Sequence, residues 1–387
     1  MDQETICLCA LNRLYGFEPR AGIRLLELFG SAGAVFEAGT KEIRERTGPG
    51  FPDAERIGES AFDAAAMELE MLAGQGCTFL GIGSPGYPEL LLECQDPPLG
   101  LYFKGGSPPE EVFNTRPALA VVGTRDISPY GREWCRRIVD ALSRASGKPL
   151  LVSGLALGTD ITAQAAALDG GMPTVSVMAT GIDEVYPSRH TQIAARIAST
   201  PGCALVTDYP PRTPPLKVNF LRRNRIIAGM CRTTILVESR IKGGGMMTAR
   251  LASSYDREVW ALPGRVDDPR SQGCNLLIRE NIARQVGDLG ELVGELGLGK
   301  PDLGLKEDFK AGVEAFYRDR LDGAAFGEVV RVAVAVKGHR GLSLDDLCVL
   351  LKWPYSKVSR YTGLLECDGF ISIDLLQKCS ANVRKSC

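Results

Sequence analysis

Six short apolar runs, separated by turn residues and helical patterns, constrain this chain more than any other feature. Ala118-Leu119-Ala120-Val121-Val122-Gly123 is the first, and Leu150–Gly154 and Thr174–Met178 follow. Cys203–Thr207, Thr234–Glu238 and Glu258–Leu262 complete the set. Helical segments near Tyr130–Ala145, Asp160–Leu168 and Thr191–Ala198 stand between them. Runs that are apolar on both faces must be covered on both faces, and strands that alternate with helices pair in parallel. The pattern predicts an α/β fold, a Rossmann-like, doubly wound parallel sheet. Ligands of such sheets bind outside the carboxyl ends of the strands. That rule selects the loops after Gly123, after Ser153 and after Glu238.

At 387 residues the chain is long enough for more than one domain. Residues 1–75 carry leucines and isoleucines at helical spacing, punctuated by Gly16, Gly22, Gly30, Gly33 and Gly39. They read as a small helical domain, either a plain packing domain or one of the sterile-alpha-motif or helix-hairpin-helix type. Residues 76–290 form the predicted core, with an extension at 76–115 that holds the turns Ser84–Pro88 and Asp96-Pro97-Pro98 and a strand at Leu101–Gly105. Residues 291–321 read as a linker. Residues 322–387 carry three helical patterns and a terminal strand at Gly369–Ile373, the order of a winged helix-turn-helix. Lys357 and Arg360 on its third helix point to DNA, and the nearby Glu366, Asp368 and Asp374 point equally to a protein contact.

The net charge of −2 argues against a generally basic nucleic-acid coat, yet a local groove depends on where charges sit. From Tyr209 to Val237 there is no Asp or Glu, while Arg212, Lys217, Arg222, Arg223, Arg225 and Arg232 crowd the same stretch. Asn219 and Phe220 lie within it. Local cations beside an aromatic suit a polyanion with stackable bases. The three selected loops fit the same chemistry. Gly123-Thr124-Arg125 offers a close backbone, a hydroxyl and a guanidinium fork. Ser153-Gly154 and Gly243-Gly244-Gly245 each open a helix whose first N–H groups suit an anion. Neither matches a GxGxxG fingerprint or a P-loop.

Catalysis has little support. With His190 the single core histidine, a Ser-His-Asp arrangement is improbable, and no catalytic residue is assigned. Glu238 and Asp160 read as helix-capping and arginine-holding carboxylates. Twelve scattered cysteines without a CxxC pair, and two histidines, give no metal site and no cofactor. The absence of a signal peptide and of any membrane-length apolar run predicts a cytoplasmic protein.

Taken together these motifs resemble the DNA-processing protein A family (DprA, also called Smf). The resemblance rests on Gly123-Thr124-Arg125, on Ser153–Ala156 with Gly158-Thr159-Asp160, on Tyr186-Pro187, and above all on Phe220 with Arg223–Gly229. Pro263-Gly264 and Gly273–Ile278 follow in order. It implies a non-enzymatic protein that binds single-stranded DNA, helps load the recombinase RecA in natural transformation, and forms a homodimer through its core. The implied contacts are Gly123, Thr124, Arg125, Ser153, Gly154, Lys217, Asn219, Phe220, Arg222, Arg223, Arg225 and Gly244. Gln164, Thr159 and the Gly243–Met247 loop depart from the family pattern. The alternative on the same scaffold is a nucleotide-processing enzyme similar to phosphoribohydrolases, whose Pro-Gly-Gly-x-Gly-Thr-x-x-Glu motif this chain lacks.

Overall fold

Each predicted strand forms, and the alternation of side chains along it sorts residues between two cores. The computed structural model describes residues 2–299, 309–339, 341–374 and 377–381. The strands are β1 (Thr78–Gly81), β2 (Gly100–Gly105), β3 (Ala118–Val122), β4 (Leu150–Ser153), β5 (Thr174–Val177), β6 (Ala204–Thr207), β7 (Thr233–Leu236), β8 (Glu258–Ala261) and β9 (Arg284–Gln285). They make one nine-stranded sheet in the order β1-β2-β6-β5-β4-β3-β7-β8-β9. β3 to β9 pair in parallel. β1 and β2 add two antiparallel strands on the β6 side, so the extension at 76–115 belongs to the sheet. The four-residue β1 is too short to carry a periodicity of its own.

Ala120, Val122, Val152, Val175, Val177 and Leu236 face one core, and Leu119, Val121, Leu151 and Ile235 face the other. Successive strand residues point to opposite faces, so both must be covered. Of the helices that follow the N-terminal four (below), α5 (Glu89–Leu92) and α6 (Pro109–Val112) are single turns. α7 (Pro129–Ser143), α8 (Thr159–Asp169) and α9 (Thr191–Ser199) lie between β3 and β6 in sequence, and α10 (Lys217–Gly229) joins β6 to β7. α11 (Gly244–Ser254) joins β7 to β8, and α12 (Gln272–Arg279) and α13 (Leu289–Glu295) come last in the core. α10 and α11 bury Ile226, Ile227, Met246 and Ala249 on the first face, while α7 and α13 bury Ile138, Leu142, Leu292 and Val293 on the second.

α1 (Gln3–Tyr15), α2 (Pro19–Phe29), α3 (Ala32–Thr47) and α4 (Glu59–Ala73) form the N-terminal segment. Its apolar core is continuous with the sheet through Phe79, Tyr102, Leu155 and Leu205. Buried Glu68 accepts the Tyr102 hydroxyl at 2.6 Å and pairs with Arg13. Asn12 Nδ2 donates to the Asp208 carbonyl at 3.0 Å. Two buried polar ties and a shared core hold these helices to the carboxyl side of β6.

The predicted linker is largely structured where it is described. Asp288 caps α13 by accepting the N–H groups of Gly290 and Glu291, and Leu292 and Val293 are buried. α14 (Phe309–Tyr317) buries Val313 and Tyr317. Residues 300–308 lie outside the described residues. Clustering of contacts divides the chain into Met1–Pro301 and Asp302–Cys387.

In the second unit α15 (Gly323–Gly338), α16 (Leu344–Leu351) and α17 (Tyr355–Cys367) enclose an apolar core with Phe370 and Ile371. β10 (Leu342–Ser343), β12 (Lys378–Ala381) and β11 (Ile371–Ile373) make a small antiparallel sheet. Ser343 and Asp346 form a reciprocal capping box at the start of α16. This is the winged helix expected. One expectation changes: Lys357 is no free cation, because Glu328 takes its ammonium at 2.5 Å and the Trp353 ring lies 4.4 Å from it.

Among the described residues no helix is long and apolar enough to cross a membrane. Nine cysteines are buried, and burial pushes Cys7, Cys94 and Cys379 up to about 11. A thiol so protonated at neutral pH is a poor nucleophile. Only Cys367 is exposed among the described cysteines. Titration of the native protein with Ellman's reagent should therefore give fast reaction at Cys367, and the Cys367→Ser variant should lose one fast equivalent. The nine buried thiols should react only after unfolding.

Candidate nucleic-acid interface

The chain leaves β3 in one direction toward β4, β5 and β6, and returns to place β7 on the opposite side of β3. The loops after β3 and β7 therefore diverge, which opens a crevice at the carboxyl edge. Glu238, buried at 1% exposure, ties the two loops. Its carboxylate accepts the Ser128 N–H at 2.9 Å and the Ser128 hydroxyl at 2.5 Å, and its carbonyl accepts the Thr124 N–H at 2.7 Å. Ser128 in turn caps α7 through Gly131 N–H. Thr159 donates its N–H and hydroxyl to the Thr124 carbonyl. A Cβ on residue 123 would lie 2.5 Å from the Thr159 hydroxyl and 2.8 Å from the Glu238 carbonyl, so only glycine fits. The loop is pinned from both sides and Arg125, beyond it, is left exposed.

The loop after β4 is held as firmly. Leu155 has φ +56, a left-handed conformation that is strained for a branched side chain. Both of its backbone groups are gripped by buried side chains. Its N–H donates to Gln164 Oε1 at 3.1 Å, and His190 Nδ1 donates to its carbonyl at 2.8 Å. Gln164 also donates to the Val175 carbonyl and the Ser176 hydroxyl. Two of the three departures from the family pattern, Thr159 and Gln164, are thus loop braces. Ser153 is fully buried and spends its hydroxyl on the Val121 carbonyl.

α10 carries the arginine-rich run, and its buried polar side chains reach three strand ends. Arg223 donates to the carbonyls of Gly154, at 2.8 Å, and of Val177. A Cβ on residue 154 would lie 2.5 Å from both terminal nitrogens of Arg223. Burial pushes the neighbouring Asp160 carboxyl above its ordinary range, against the Arg223 charge and the N–H groups of Ala156 and Gly154. Arg225 pairs with Asp208 at 2.6 Å and donates to the Asp96 carbonyl. Asn219 donates to the Pro214 carbonyl at 3.1 Å and accepts the Tyr209 hydroxyl on its own carbonyl. The side chains of Ser153, Asn219, Arg223 and Arg225 are therefore committed inside the protein, and they shape the edge instead of lining it.

What faces solvent is a smaller set. The Arg125 guanidinium lies 4.7 Å from the Phe220 ring centroid, and Tyr186 meets the same ring edge-on at 5.6 Å. Lys217, one turn before Phe220 on α10, is exposed, and no carboxylate pairs with Lys217 or Arg125 among the described residues. Arg222 turns the other way, over the Phe17 ring at 4.7 Å, with bonds to the Gly16 and Phe17 carbonyls. Gly244 is exposed at the first turn of α11 with open space where a Cβ would stand. Gly245 behind it abuts Gly123. Tyr186 enters the cluster from a loop 34 residues upstream of Phe220, and no local signal announces that meeting.

Removing one member of a buried ion pair costs about 3–5 kcal/mol, because the partner is left charged and dry. Arg225→Ala should lower the unfolding free energy by about that much, measured by urea denaturation. Pairing it with Asp208→Leu should recover part of the loss. Neither change touches the exposed Arg125–Phe220 stack.

Residues 78–297 match the family described as DNA recombination-mediator protein A. The Smf protein of Synechocystis is 35% identical over 219 residues, which are 57% of this chain and 54% of that protein. The chain spans about half the length of the curated Smf relatives it matches. Among solved structures, DNA processing protein A from Streptococcus pneumoniae superposes with a TM-score of 0.65 at 29% identity, covering 76% of this chain and 99% of that one. The Helicobacter pylori protein, a structure concerned with a single-stranded DNA binding mode, gives a TM-score of 0.50 at 27% identity over 56% of this chain and 95% of that one. With more than half its length matched, this chain belongs to the DNA recombination-mediator protein A family, the DprA/Smf DNA-processing proteins.

Proposed function

We propose that this protein binds single-stranded DNA at the carboxyl edge of its sheet, without catalysis, and presents the strand for recombination. The observation that carries the proposal is the Arg125–Phe220–Tyr186 stack with Lys217 one turn away and no carboxylate paired to either cation. Lys217 is the first residue of α10, where a cation opposes the helix dipole at a cost of about 0.3–1 kcal/mol. No acidic residue offsets it in that turn. A phosphate would. An exposed cation–π contact contributes roughly 0.5–1 kcal/mol and a base stacked on an aromatic ring about 1–3. A base can therefore displace the Arg125 guanidinium from the Phe220 ring and leave it free for a phosphate. The pinned Gly123 loop and the open first turn of α11 at Gly244 provide backbone N–H groups beside it.

Arg223, Arg225, Asn219 and Ser153 serve this site by position. Glu238 and Asp160 are also engaged, Glu238 by Ser128 and Asp160 among the Gly154 and Ala156 backbone and Arg223. Their engagement counts against the phosphoribohydrolase alternative. Delivery of the strand to the recombinase RecA, action in DNA uptake and recombination, and a homodimer through the core complete the reading; they rest on family membership. A RecA loading assay on strands coated with single-strand-binding protein tests delivery. Sedimentation tests the dimer.

Arg125→Ala and Lys217→Ala should each weaken binding of mixed-sequence and homopolymeric single strands alike, by about tenfold, as expected for one charge-assisted hydrogen bond. Each should reduce the slope of log K against log salt by about 0.7, with the unfolding midpoint unchanged. Fluorescence anisotropy across a salt series measures both. Wild-type affinity in both variants would refute the site.

A further inference from the structure

A second aromatic platform stands on the same carboxyl edge, at the far end from Arg125. Phe17 lies in the turn between α1 and α2 and is 48% exposed, an unusual position for a phenylalanine. It is held in place. The Arg222 guanidinium covers one part of the ring at 4.7 Å while donating to the carbonyls of Gly16 and Phe17. The Tyr209 ring stands 5.6 Å away, tilted at 52°. Tyr209 follows β6, and Arg125 follows β3. Those strands are three places apart in the sheet, roughly 14 Å at about 4.8 Å per strand.

The surface between the two platforms is the exposed face of the first turns of α10. Phe220 lies on one flank of that face and Arg222 on the other, since two residues of helix turn through about 200°. Lys217, Val218 and Leu221 fill the arc between them, and all three are exposed, as is Leu216 just before. An apolar surface with a free ammonium in its midst, in a stretch with no acid from Tyr209 to Val237, is complementary to bases and phosphates together. Glu18 and Arg20 beside Phe17 are opposite in charge.

We propose that Phe17 is a second base-stacking site for the same single strand. The strand would stack one base at Phe220, cross Lys217 and Leu221, and stack another on Phe17 braced by Arg222. The N-terminal helices then act as one wall of the binding groove. The inference rests on the single-strand reading above and extends it to a longer site. At roughly 3.4 Å or more per nucleotide along one strand, a dinucleotide reaches the Phe220 platform alone, and a strand of about five nucleotides or more engages both.

The test compares the thymidine dinucleotide and the oligothymidylate of twenty nucleotides on the full chain, the first by competition and the second directly by anisotropy. Phe17→Ala should weaken the twenty-mer about tenfold, the effect of one lost base stack, and leave the dinucleotide and the salt slope unchanged. Arg125→Ala should weaken both lengths. Phe17→Trp supplies a readout that does not depend on the tolerance of the alanine variant. Its added fluorescence should be quenched by the twenty-mer and not by the dinucleotide. Unquenched tryptophan, or equal twenty-mer affinity for wild type and Phe17→Ala, would overturn this inference while the Arg125 result still supports the primary site. A wild-type protein that binds neither oligonucleotide would overturn both.

Discussion

The structure turns on two buried arginines of one helix. Arg223 bonds the loop after β4 and the end of β5, and Arg225 closes on Asp208 after β6. A guanidinium presents five donors in a fixed fork, so each can satisfy several strand-end groups that no side chain of the sheet could reach. The consequence is a rigid carboxyl edge. Gly154 has to be glycine because Arg223 occupies the space of its side chain, and the run that began as a charge anomaly becomes mainly architecture. What the arginines hold in place is a short list, the exposed Arg125 and Lys217 and the half-buried Phe220.

The same division runs through the loops. Glu238, Thr159, Gln164 and His190 all hold backbone groups of the loops after β3 and β4. Thr159 and Gln164, two of the departures from the family pattern, make loop-bracing bonds. The site is thus preorganised, and little ordering cost remains when a flexible ligand settles on it. The N-terminal helices share a core with the sheet, and their turn at Phe17 is fixed by Arg222 to the helix that carries Phe220.

Much of this was legible in the sequence, and the limits have physical causes. Strands buried on both faces leave long apolar runs, so the parallel sheet, its order of helices and its three candidate loops could be read directly. The winged helix announced itself through Ser343 and Asp346, a capping pair three residues apart. The fate of the arginines was not legible. Charge counts say where cations are in sequence; whether Arg223 faces a ligand or a carbonyl depends on strands β4 and β5, some fifty to seventy residues away. Tyr186 beside Phe220 and Phe17 beside Arg222 are long-range meetings of the same kind. Near residue 291 the glycines obscure the end of α13, a capped helix whose apolar residues are few but buried.

The central claim is that the carboxyl edge of the sheet holds single-stranded DNA. Hydrogen-exchange mass spectrometry on the full chain, with and without a twenty-nucleotide single strand, tests it most directly. The account predicts protection of Gly123–Ser128, of the first turns of α10 from Lys217 to Leu221, and of the start of α11. Protection confined to residues 322–387, or none at the strand ends despite saturating DNA, would contradict it.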